Sequence, residues 1–347
     1  MKVLVTGGAG FIGSNFVRFM LREDPDAQIV NFDKLTYAGN LDNLKECEAN
    51  PRHAFVRGDI ANAEQVREVL SNGGFDAIVN FAAETHVDRS IGSPSDFLNT
   101  DIFGTFCLLE AVREFAIPRY IQISTDEVYG TVPVGSSTET APLNPSNPYS
   151  ASKAGGDLLV LSYFRTYRTP VLITRASNNY GPNQYPEKFI PLATTNVLDD
   201  QPIPLYGDGM QIRDWLFVED HCRGIRTVLL QGKEGEVYNI GGDQERPNRE
   251  IAELILSILD KPRELIRRVA DRPGHDTRYS LDCMKLKGLG WHPTVAVEEG
   301  MRQTVAWYRD NRWWWEKIKS GEFKKYYQEH YGHRLEQSTT LDEEDAR

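Results

Sequence analysis

Side chains able to do acid and base chemistry are concentrated between Ile123 and Lys153. Thr125, Asp126 and Glu127 follow an apolar run, Ile121 to Ser124, which predicts a buried strand. Ligands of open α/β sheets bind at the carboxyl ends of the strands, so we expect these three side chains at a ligand-binding rim. Two adjacent acids are usually part of a solvated turn. A catalytic role for Asp126 and Glu127 is indicated only if other reactive side chains lie nearby.

A phenol and an amine follow on the next predicted helix, which begins at Pro148. Tyr149 and Lys153 are four residues apart, so both lie on one helix face and can meet the same ligand. The pKa of a free tyrosine is about 10, and a nearby cation such as Lys153 can lower it until the phenol acts as a base. Residues 131–148 are rich in Pro, Ser and Thr and predict a loop able to fold over the site.

The elements that position these groups begin at the N-terminus with a predicted strand, residues 2–6, and a predicted helix, residues 11–22. Between them Gly7, Gly10 and Gly13 have G-x-x-G-x-x-G spacing. Glycines there allow a tight turn, close approach of a pyrophosphate to backbone N–H groups, and close packing of helix on strand. This strand–turn–helix context predicts a dinucleotide-binding loop.

Two acids follow the next predicted strands. Asp33 ends the strand at 28–32, where a carboxylate can bind the adenosine ribose and repel a 2′-phosphate. NAD is therefore favoured over NADP, with the adjacent Lys34 as a mild argument to the contrary. Asp59 is compatible with two interpretations, a contact on the adenine side of the dinucleotide or an N-cap of the helix at 63–70.

The segment after the predicted strand at 77–81 combines small and polar residues. Ala82 allows a cofactor to pass closely, and Glu84 and His86 can reach a hydroxylated substrate. No ligand-type side chain stands at metal-binding spacing to His86, so no metal site is predicted.

Cations for a diphosphate are expected further along the chain. Lys188, Arg213 and Arg272 are the candidates, because arginine forks match phosphate oxygens. A predicted helix at 99–113 is apolar over much of its circumference and is either core or a subunit interface.

The alternation of strands and helices predicts an α/β fold, a Rossmann-type doubly wound parallel sheet with a smaller mixed α/β C-terminal lobe. We expect a dinucleotide-binding domain over residues 1–176 that carries the catalytic residues. A substrate lobe is expected over 177–335, with some chain returning to the larger domain. A polar tail is expected over 336–347, frayed from Thr339 onwards.

Composition excludes several classes of partner. The net charge of −11 argues against nucleic acid. No apolar run is long enough to span a bilayer, and a core strand begins within two residues of Met1, which leaves no room for a signal peptide. The sequence thus predicts a cytoplasmic protein without membrane contact.

With the glycine loop, Asp33, Ser124, Tyr149 and Lys153, the chain resembles the extended short-chain dehydrogenase/reductase superfamily over nearly its whole length. Within it, four further motifs resemble the dTDP-glucose 4,6-dehydratases. They are Thr125-Asp126-Glu127, Glu84-Thr85-His86-Val87-Asp88, Ser177-Asn178-Asn179-Tyr180-Gly181-Pro182 and Asp271-Arg272-Pro273-Gly274-His275-Asp276.

The resemblance implies an NAD-dependent lyase that acts on a dTDP-sugar, with NAD tightly bound and regenerated in each turnover. Tyr149, assisted by Lys153, would remove the proton of the C4 hydroxyl, and Thr125 would bind near that hydroxyl. Glu127 would take the C5 proton, and protonated Asp126 would release the C6 hydroxyl as water.

The same resemblance implies the remaining site residues and a homodimer formed through the helices at 99–113 and 149–166. The cofactor-binding residues would be Gly7, Gly10, Phe11, Ile12, Gly13, Asp33, Lys34, Asp59, Ile60, Ala82, Ser124, Tyr149 and Lys153. The substrate-binding residues would be Glu84, His86, Thr125, Asn178, Lys188, Tyr206, Arg213, Asn248 and Arg272.

Three rivals stay open. A UDP-sugar 4-epimerase shares the C4 oxidation, but Asp126 and Glu127 argue against it. A UDP-glucose 4,6-dehydratase differs only in the base of the nucleotide, where a single methyl is recognised by pocket shape. A non-catalytic dinucleotide sensor is disfavoured by the intact Tyr149 and Lys153.

Overall fold

The computed structural model describes residues 1–71, 73–271 and 275–341. In these residues the strands are β1 Lys2–Thr6, β2 Gln28–Asp33, β3 His53–Arg57, β4 Ala77–Asn80, β5 Tyr120–Thr125, β6 Val171–Ala176, β7 Asn178–Tyr180, β8 Ile203–Tyr206, β9 Ile212–Phe217, β10 Val237–Ile240, β11 Glu245–Pro247, β12 Ile266–Val269 and β13 Thr339–Thr340.

The helices alternate with these strands in the first half of the chain and dominate its C-terminal end. They are α1 Phe11–Glu23, α2 Ala63–Ser71, α3 Val87–Gly92, α4 Pro94–Phe97, α5 Thr105–Glu114, α6 Pro148–Tyr167, α7 Phe189–Leu198, α8 Val218–Gln231, α9 Asn248–Leu259, α10 Met284–Lys287, α11 Val297–Asp310, α12 Arg312–Lys319, α13 Glu322–Tyr327 and α14 His333–Glu336.

One large parallel sheet organises the molecule. Within the described residues its strand order is β10-β6-β5-β4-β1-β2-β3, and every neighbouring pair is parallel. This order confirms the predicted Rossmann-type fold. The direction of winding reverses between β1 and β4, and ligands of such sheets bind at the carboxyl ends of the strands beside that reversal.

The sheet is covered on both faces, which explains why its central strands are apolar without alternation. Phe16 and Met20 of α1 and Ile225 of α8 belong to the buried cluster on one face. The cluster on the other face contains Val66 of α2 and Val160 of α6. Both core layers are apolar, so polar groups are displaced to the strand ends.

Two smaller sheets lie in the C-terminal half, with orders β11-β9-β7 and β13-β12-β8. They surround a third apolar cluster, which includes Tyr180, Ile251 and Val305. β10 belongs instead to the large sheet, where it pairs with β6. The domain boundaries given above stay a prediction.

Two expectations need correction. The helix predicted at 99–113 lies in a longer helical run that starts with α4 and contains a π-helical segment, Leu98–Gly104, before α5. Fraying from Thr339 was wrong for the residues up to 341, because β13 pairs with β12 and Leu341 is buried. Residues 342–347 lie outside the described residues.

No membrane-spanning candidate is found, since every described helix is too short or too polar to cross a bilayer.

The docking of the chain end at β12 can be tested with Leu341→Ala. Leu341 is 2% exposed and packs into the third apolar cluster. We expect the substitution to lower the local opening free energy of β13 by about 2 kcal/mol, because truncating a buried leucine leaves a cavity. Amide hydrogen exchange in β12 and β13 measures this change.

Val134→Ala is the matched control, since Val134 is 90% exposed. Equal exchange rates in wild type and Leu341→Ala would contradict the docked strand.

Candidate active site

Two adjoining cavities lie at the carboxyl ends of the large sheet. The first, here called the cofactor cavity, is lined by all thirteen residues predicted above to bind the dinucleotide, together with Glu84. The second, the substrate cavity, is lined by Glu127 and by His86, Asn178, Lys188, Tyr206, Arg213 and Asn248. Arg272 lies outside the described residues. Gln184, Glu187 and Lys188 line both cavities, so the two share a wall.

The glycine loop leaves room for a ligand but not for larger side chains. A Cβ on Gly13 would lie 2.4 Å from the Gly7 carbonyl oxygen, and Gly7 has a φ of +66°. At Gly10, by contrast, a Cβ would meet only that oxygen, at 3.2 Å, and Gly10 lines the cofactor cavity. The space beside Gly10 therefore allows a pyrophosphate to approach the N-terminus of α1, so these residues fit a nicotinamide dinucleotide.

Asp33 is held in a fixed orientation at the end of β2. Its Oδ2 accepts a hydrogen bond from the Ala9 amide at 2.9 Å, and its Oδ1 accepts one from the Leu35 amide at 2.8 Å. Burial raises its pKa, and these two hydrogen bonds oppose that shift. The carboxylate is thereby locked beside the glycine loop, at the edge of the cofactor cavity.

Lys34 and Asp59 form an ion pair of 2.8 Å at the same end of the cavity. This ion pair neutralises Lys34, the cation that was a mild argument for NADP. Asp59 is not the N-cap of α2, since Asn62 accepts from the amides of Glu64 and Gln65. Asp59 accepts instead from the Ala61 amide at 2.9 Å.

The Tyr149–Lys153 pair is positioned by the first turns of α6. The Asn147 side chain accepts from the Ser150 amide at 2.9 Å and forms a capping box, which fixes where the helix begins. Lys153 is buried and donates from Nζ to the Ile123 carbonyl oxygen of β5 at 2.8 Å. Both side chains line the cofactor cavity.

The pKa of Tyr149 departs from the sequence-based expectation. Burial of the phenol, followed by Glu127 and Asp101, raises this pKa well above its ordinary value, while the Thr125 hydroxyl opposes the shift. The protein groups around the phenol therefore do not lower its pKa. The predicted lowering depends on the positive charge of an oxidised nicotinamide ring beside it.

Thr125, Asp126 and Glu127 form a tight turn at the end of β5. The Thr125 hydroxyl donates to Asp126 Oδ1 at 3.2 Å and accepts from the Glu127 amide at 3.2 Å. Burial, followed by the charges of Glu127 and Asp214, raises the pKa of Asp126 well above its ordinary range, and Arg213 opposes this. Asp126 is thus suited to hold a proton, and Glu127 faces the substrate cavity.

Asp101 is a buried acid that sequence reasoning missed. Its Oδ2 accepts from the Ser152 hydroxyl at 2.6 Å, and its Oδ1 accepts from the Glu84 amide at 3.1 Å. Burial raises the pKa of Asp101 to about 6, and the charge of Lys153 opposes this. Burial and then Asp101 raise the pKa of Glu84 to about 7. The available sequence signal was an acid inside an otherwise apolar helical stretch.

Arg213 forms a rigid cationic wall of the substrate cavity. The residue is buried, and its Nη1 and Nη2 donate to the carbonyl oxygens of Ile212 and Asp276, each at 2.8 Å. Its guanidinium lies 4.4 Å from the centre of the Tyr279 ring, another cavity residue that sequence reasoning missed. Among the described residues, no cluster of three or more His, Cys, Asp or Glu side chains is arranged to hold a metal.

Fold and site together define the class of the protein. A parallel sheet of this strand order, a glycine loop at its winding reversal and a Tyr-x-x-x-Lys pair facing the same cavity are the features of an extended short-chain dehydrogenase/reductase.

Comparison with known proteins narrows the class to a family. The family model described as GDP-mannose 4,6 dehydratase matches residues 4–304. A dTDP-glucose 4,6-dehydratase of Streptomyces niveus is 53% identical, with 92% of this chain and 96% of that protein covered. The chain therefore belongs to the GDP-mannose 4,6-dehydratase family.

Solved structures agree with this assignment. The dTDP-glucose 4,6-dehydratase of Streptomyces venezuelae, solved with NAD bound, is 51% identical and has a TM-score of 0.89, with 92% of this chain and 100% of that chain covered. A UDP-glucose 4-epimerase of Thermus thermophilus in complex with NAD is 30% identical, with a TM-score of 0.83 and coverages of 90% and 100%. The shared fold explains why an epimerase was a rival, and the higher identity favours the dehydratases.

The raised pKa of buried Asp101 predicts that the free energy of unfolding depends on pH. Its pKa is about 6 in the folded protein and 3.8 ordinarily, so the folded state binds more protons between these values. This carboxyl therefore destabilises the fold increasingly as pH rises from about 4 to 6. Asp101→Asn removes this titrating group. The free energy of unfolding of the variant minus that of wild type should therefore be about 2 kcal/mol larger at pH 7.5 than at pH 4.5.

Urea unfolding at the two pH values measures the difference, and Asp310→Asn is the exposed control. A stability difference that does not change with pH would contradict the raised pKa of Asp101.

Proposed function

We propose that the protein is an NAD-dependent dTDP-glucose 4,6-dehydratase, a lyase that converts dTDP-glucose to dTDP-4-keto-6-deoxyglucose. The proposal rests on one observation. Buried Asp126 lies beside Glu127 at the end of β5, and both carboxyl groups are near enough to Tyr149 to raise its pKa. Loss of water needs one acid and one base side by side. The raised pKa of Asp126 suits it to be the acid, which leaves Glu127 as the base. The activity of the relatives supports the same reaction.

Oxidation at C4 is assigned to Tyr149 and Lys153. NAD, held by the residues of the cofactor cavity, supplies the hydride acceptor for C4 and the hydride donor for C6. The Tyr149 phenolate takes the proton of the C4 hydroxyl, and the neighbouring Thr125 hydroxyl binds that oxygen. Lys153, fixed by its hydrogen bond to Ile123, would favour the phenolate together with the positive charge of the oxidised nicotinamide ring, because the protein groups alone do not lower the pKa of Tyr149.

Elimination across C5 and C6 is assigned to the two carboxyl groups. The C4 ketone makes the C5 proton acidic, and Glu127 removes it. The C6–O bond breaks as Asp126 gives its proton to the departing hydroxyl, so one water leaves. Glu127 then returns a proton to C5 after the hydride has reached C6.

Substrate binding is assigned to the residues of the shared wall and of the substrate cavity. Lys188 and Arg213 are proposed to hold the diphosphate, with Asn178 and Asn248 beside them and Arg272 added from the sequence. Glu84 and His86 are proposed on the sugar side, and Tyr206 on the nucleoside side.

A homodimer and a cytoplasmic location are part of the same proposal. Leu98, Phe103 and Phe106 on one helical run, and Leu158 and Tyr167 on α6, are exposed in the single chain. Exposed apolar side chains on these two helices support a dimer formed through them.

One assay tests the activity. The purified protein is incubated with dTDP-glucose or UDP-glucose without added NAD, and the products are identified by mass. Loss of one water from dTDP-glucose is expected, because the bound NAD is regenerated in each turnover. Preferential loss of water from UDP-glucose would favour the UDP-sugar dehydratase, and an unchanged mass with formation of galactose would favour the epimerase.

Two substitutions test the division of roles. Tyr149→Phe should abolish reduction of bound NAD, because the C4 hydroxyl keeps its proton. Glu127→Gln should still allow that reduction but slow water loss roughly a hundredfold to ten-thousandfold, as expected for a missing general base. Absorbance of reduced NAD and product mass measure the two steps.

Glu299→Gln is the matched control at an exposed position outside the proposed site and interface. Equal and complete loss of cofactor reduction in Tyr149→Phe and Glu127→Gln would refute the assignment.

A further inference from the structure

We propose that the C-terminal segment, residues 322–341, is a positioning element that holds Tyr206, through His330 and Arg334, against the nucleoside part of the substrate. This inference rests on the proposed function, because it presumes a nucleotide-sugar substrate. The segment lies beyond residue 304, where the match to the family model ends.

The C-terminal segment is anchored at both ends. Near its start, Phe323 is buried in an apolar cluster with Leu192 and Tyr331. At its end, β13 pairs with β12, and β12 in turn pairs with β8, whose last residue is Tyr206. The segment therefore runs from α7, which carries Leu192, to the sheet whose strand β8 carries Tyr206.

Polar groups of the segment converge on the Tyr206 hydroxyl. That oxygen lies 2.7 Å from Nε2 of His330, 3.1 Å from Nη1 of Arg334 and 3.4 Å from the hydroxyl of Tyr331. The Arg334 guanidinium also lies 5.4 Å from the centre of the Tyr206 ring. Arg334 can only donate, so it holds the phenol oxygen as an acceptor and restricts rotation of the side chain.

The same segment also contacts helix α3 at Asp88 and Arg89. Nε2 of His330 lies 3.4 Å from Oδ2 of Asp88, and the His330 ring stacks on Tyr326 at 5.5 Å. Tyr326 is also 4.9 Å from the guanidinium of Arg89, which forms an ion pair with Glu187 in the shared wall. The position of His330 is thus set by several groups and not by Tyr206 alone.

The aromatic side chains around Tyr206 assign this part of the substrate cavity to the nucleoside. Glu127 marks the end of the cavity where the sugar reacts, and Arg213 and Lys188 are the cations suited to the diphosphate. Tyr206 and Tyr331 add aromatic faces to the same cavity, with ring centres 6.1 Å apart. Aromatic side chains stack on nucleobases, whereas a diphosphate gains little from them.

The test is the double variant His330→Phe/Arg334→Met. Phenylalanine keeps the stack on Tyr326 and methionine keeps much of the aliphatic stem of arginine, but both polar contacts to Tyr206 are lost. We expect the Kd for dTDP and the KM for dTDP-glucose to rise about tenfold, with kcat within about twofold of wild type. Inhibition by inorganic pyrophosphate should stay within about twofold, because the diphosphate contacts are unchanged. A tenfold change corresponds to about 1.4 kcal/mol, which is the scale of the hydrogen bonds lost.

Lys325→Met is the matched control on the same segment, since the side chain of Lys325 is 79% exposed. Calorimetry with dTDP, steady-state kinetics and a melting curve are measured for each protein. Retained NAD and an unchanged melting temperature separate a positioning effect from misfolding.

The outcomes distinguish this inference from the proposed function. Unchanged dTDP binding in the double variant, or equal weakening of dTDP and pyrophosphate, overturns the inference while the dehydratase assignment stands. If wild type does not convert dTDP-glucose but the variant still loses dTDP affinity selectively, the proposed activity fails and the inference stands. A loss in Lys325→Met equal to that of the double variant also overturns it.

Discussion

The site depends on keeping ionisable side chains away from water at the carboxyl end of β5. Burial is the largest cause of the raised pKa values of Asp126, Tyr149 and Asp101. In a medium of low dielectric constant, a charge that appears on one of these groups acts strongly on the others. The cations Lys153 and Arg213 are placed to offset part of that cost. Proton positions in this region therefore depend strongly on a few fixed neighbours.

Close helix packing makes this burial possible. A Cβ on Gly156 of α6 would lie 2.9 Å from the carbonyl oxygen of Asp101, and one on Gly155 would lie 2.7 Å from Ile102. Glycine within a helix costs roughly 0.5–1 kcal/mol relative to alanine. Here the two glycines let α6 approach the π-helical segment closely enough for Ser152 to reach Asp101. Packing and acid–base chemistry are thus set by the same contact.

Features that depend on local spacing were predictable, and features that depend on distant contacts were not. The glycine loop and the Tyr149–Lys153 pair follow from intervals of a few residues, so strand, turn and helix rules were sufficient. Asp101 meets Ser152 only through folding, and its raised pKa arises from burial that no local pattern encodes. Some return of the chain to the larger domain was expected, but the choice of β10 as the returning strand and the docking of β13 depend on partners far away in the chain.

The wall shared by the two cavities is held together by a network around Glu187. Both oxygens of buried Glu187 are occupied, one by the Tyr37 hydroxyl and the other by Arg89, each at 2.8 Å. The Arg89 guanidinium also lies 3.7 Å from the centre of the Tyr37 ring. This network joins the loop after β2 on the cofactor side to α3 on the substrate side. A shift of one cavity relative to the other would break charge-assisted hydrogen bonds, so cofactor and sugar can keep one relative position from oxidation to hydride return.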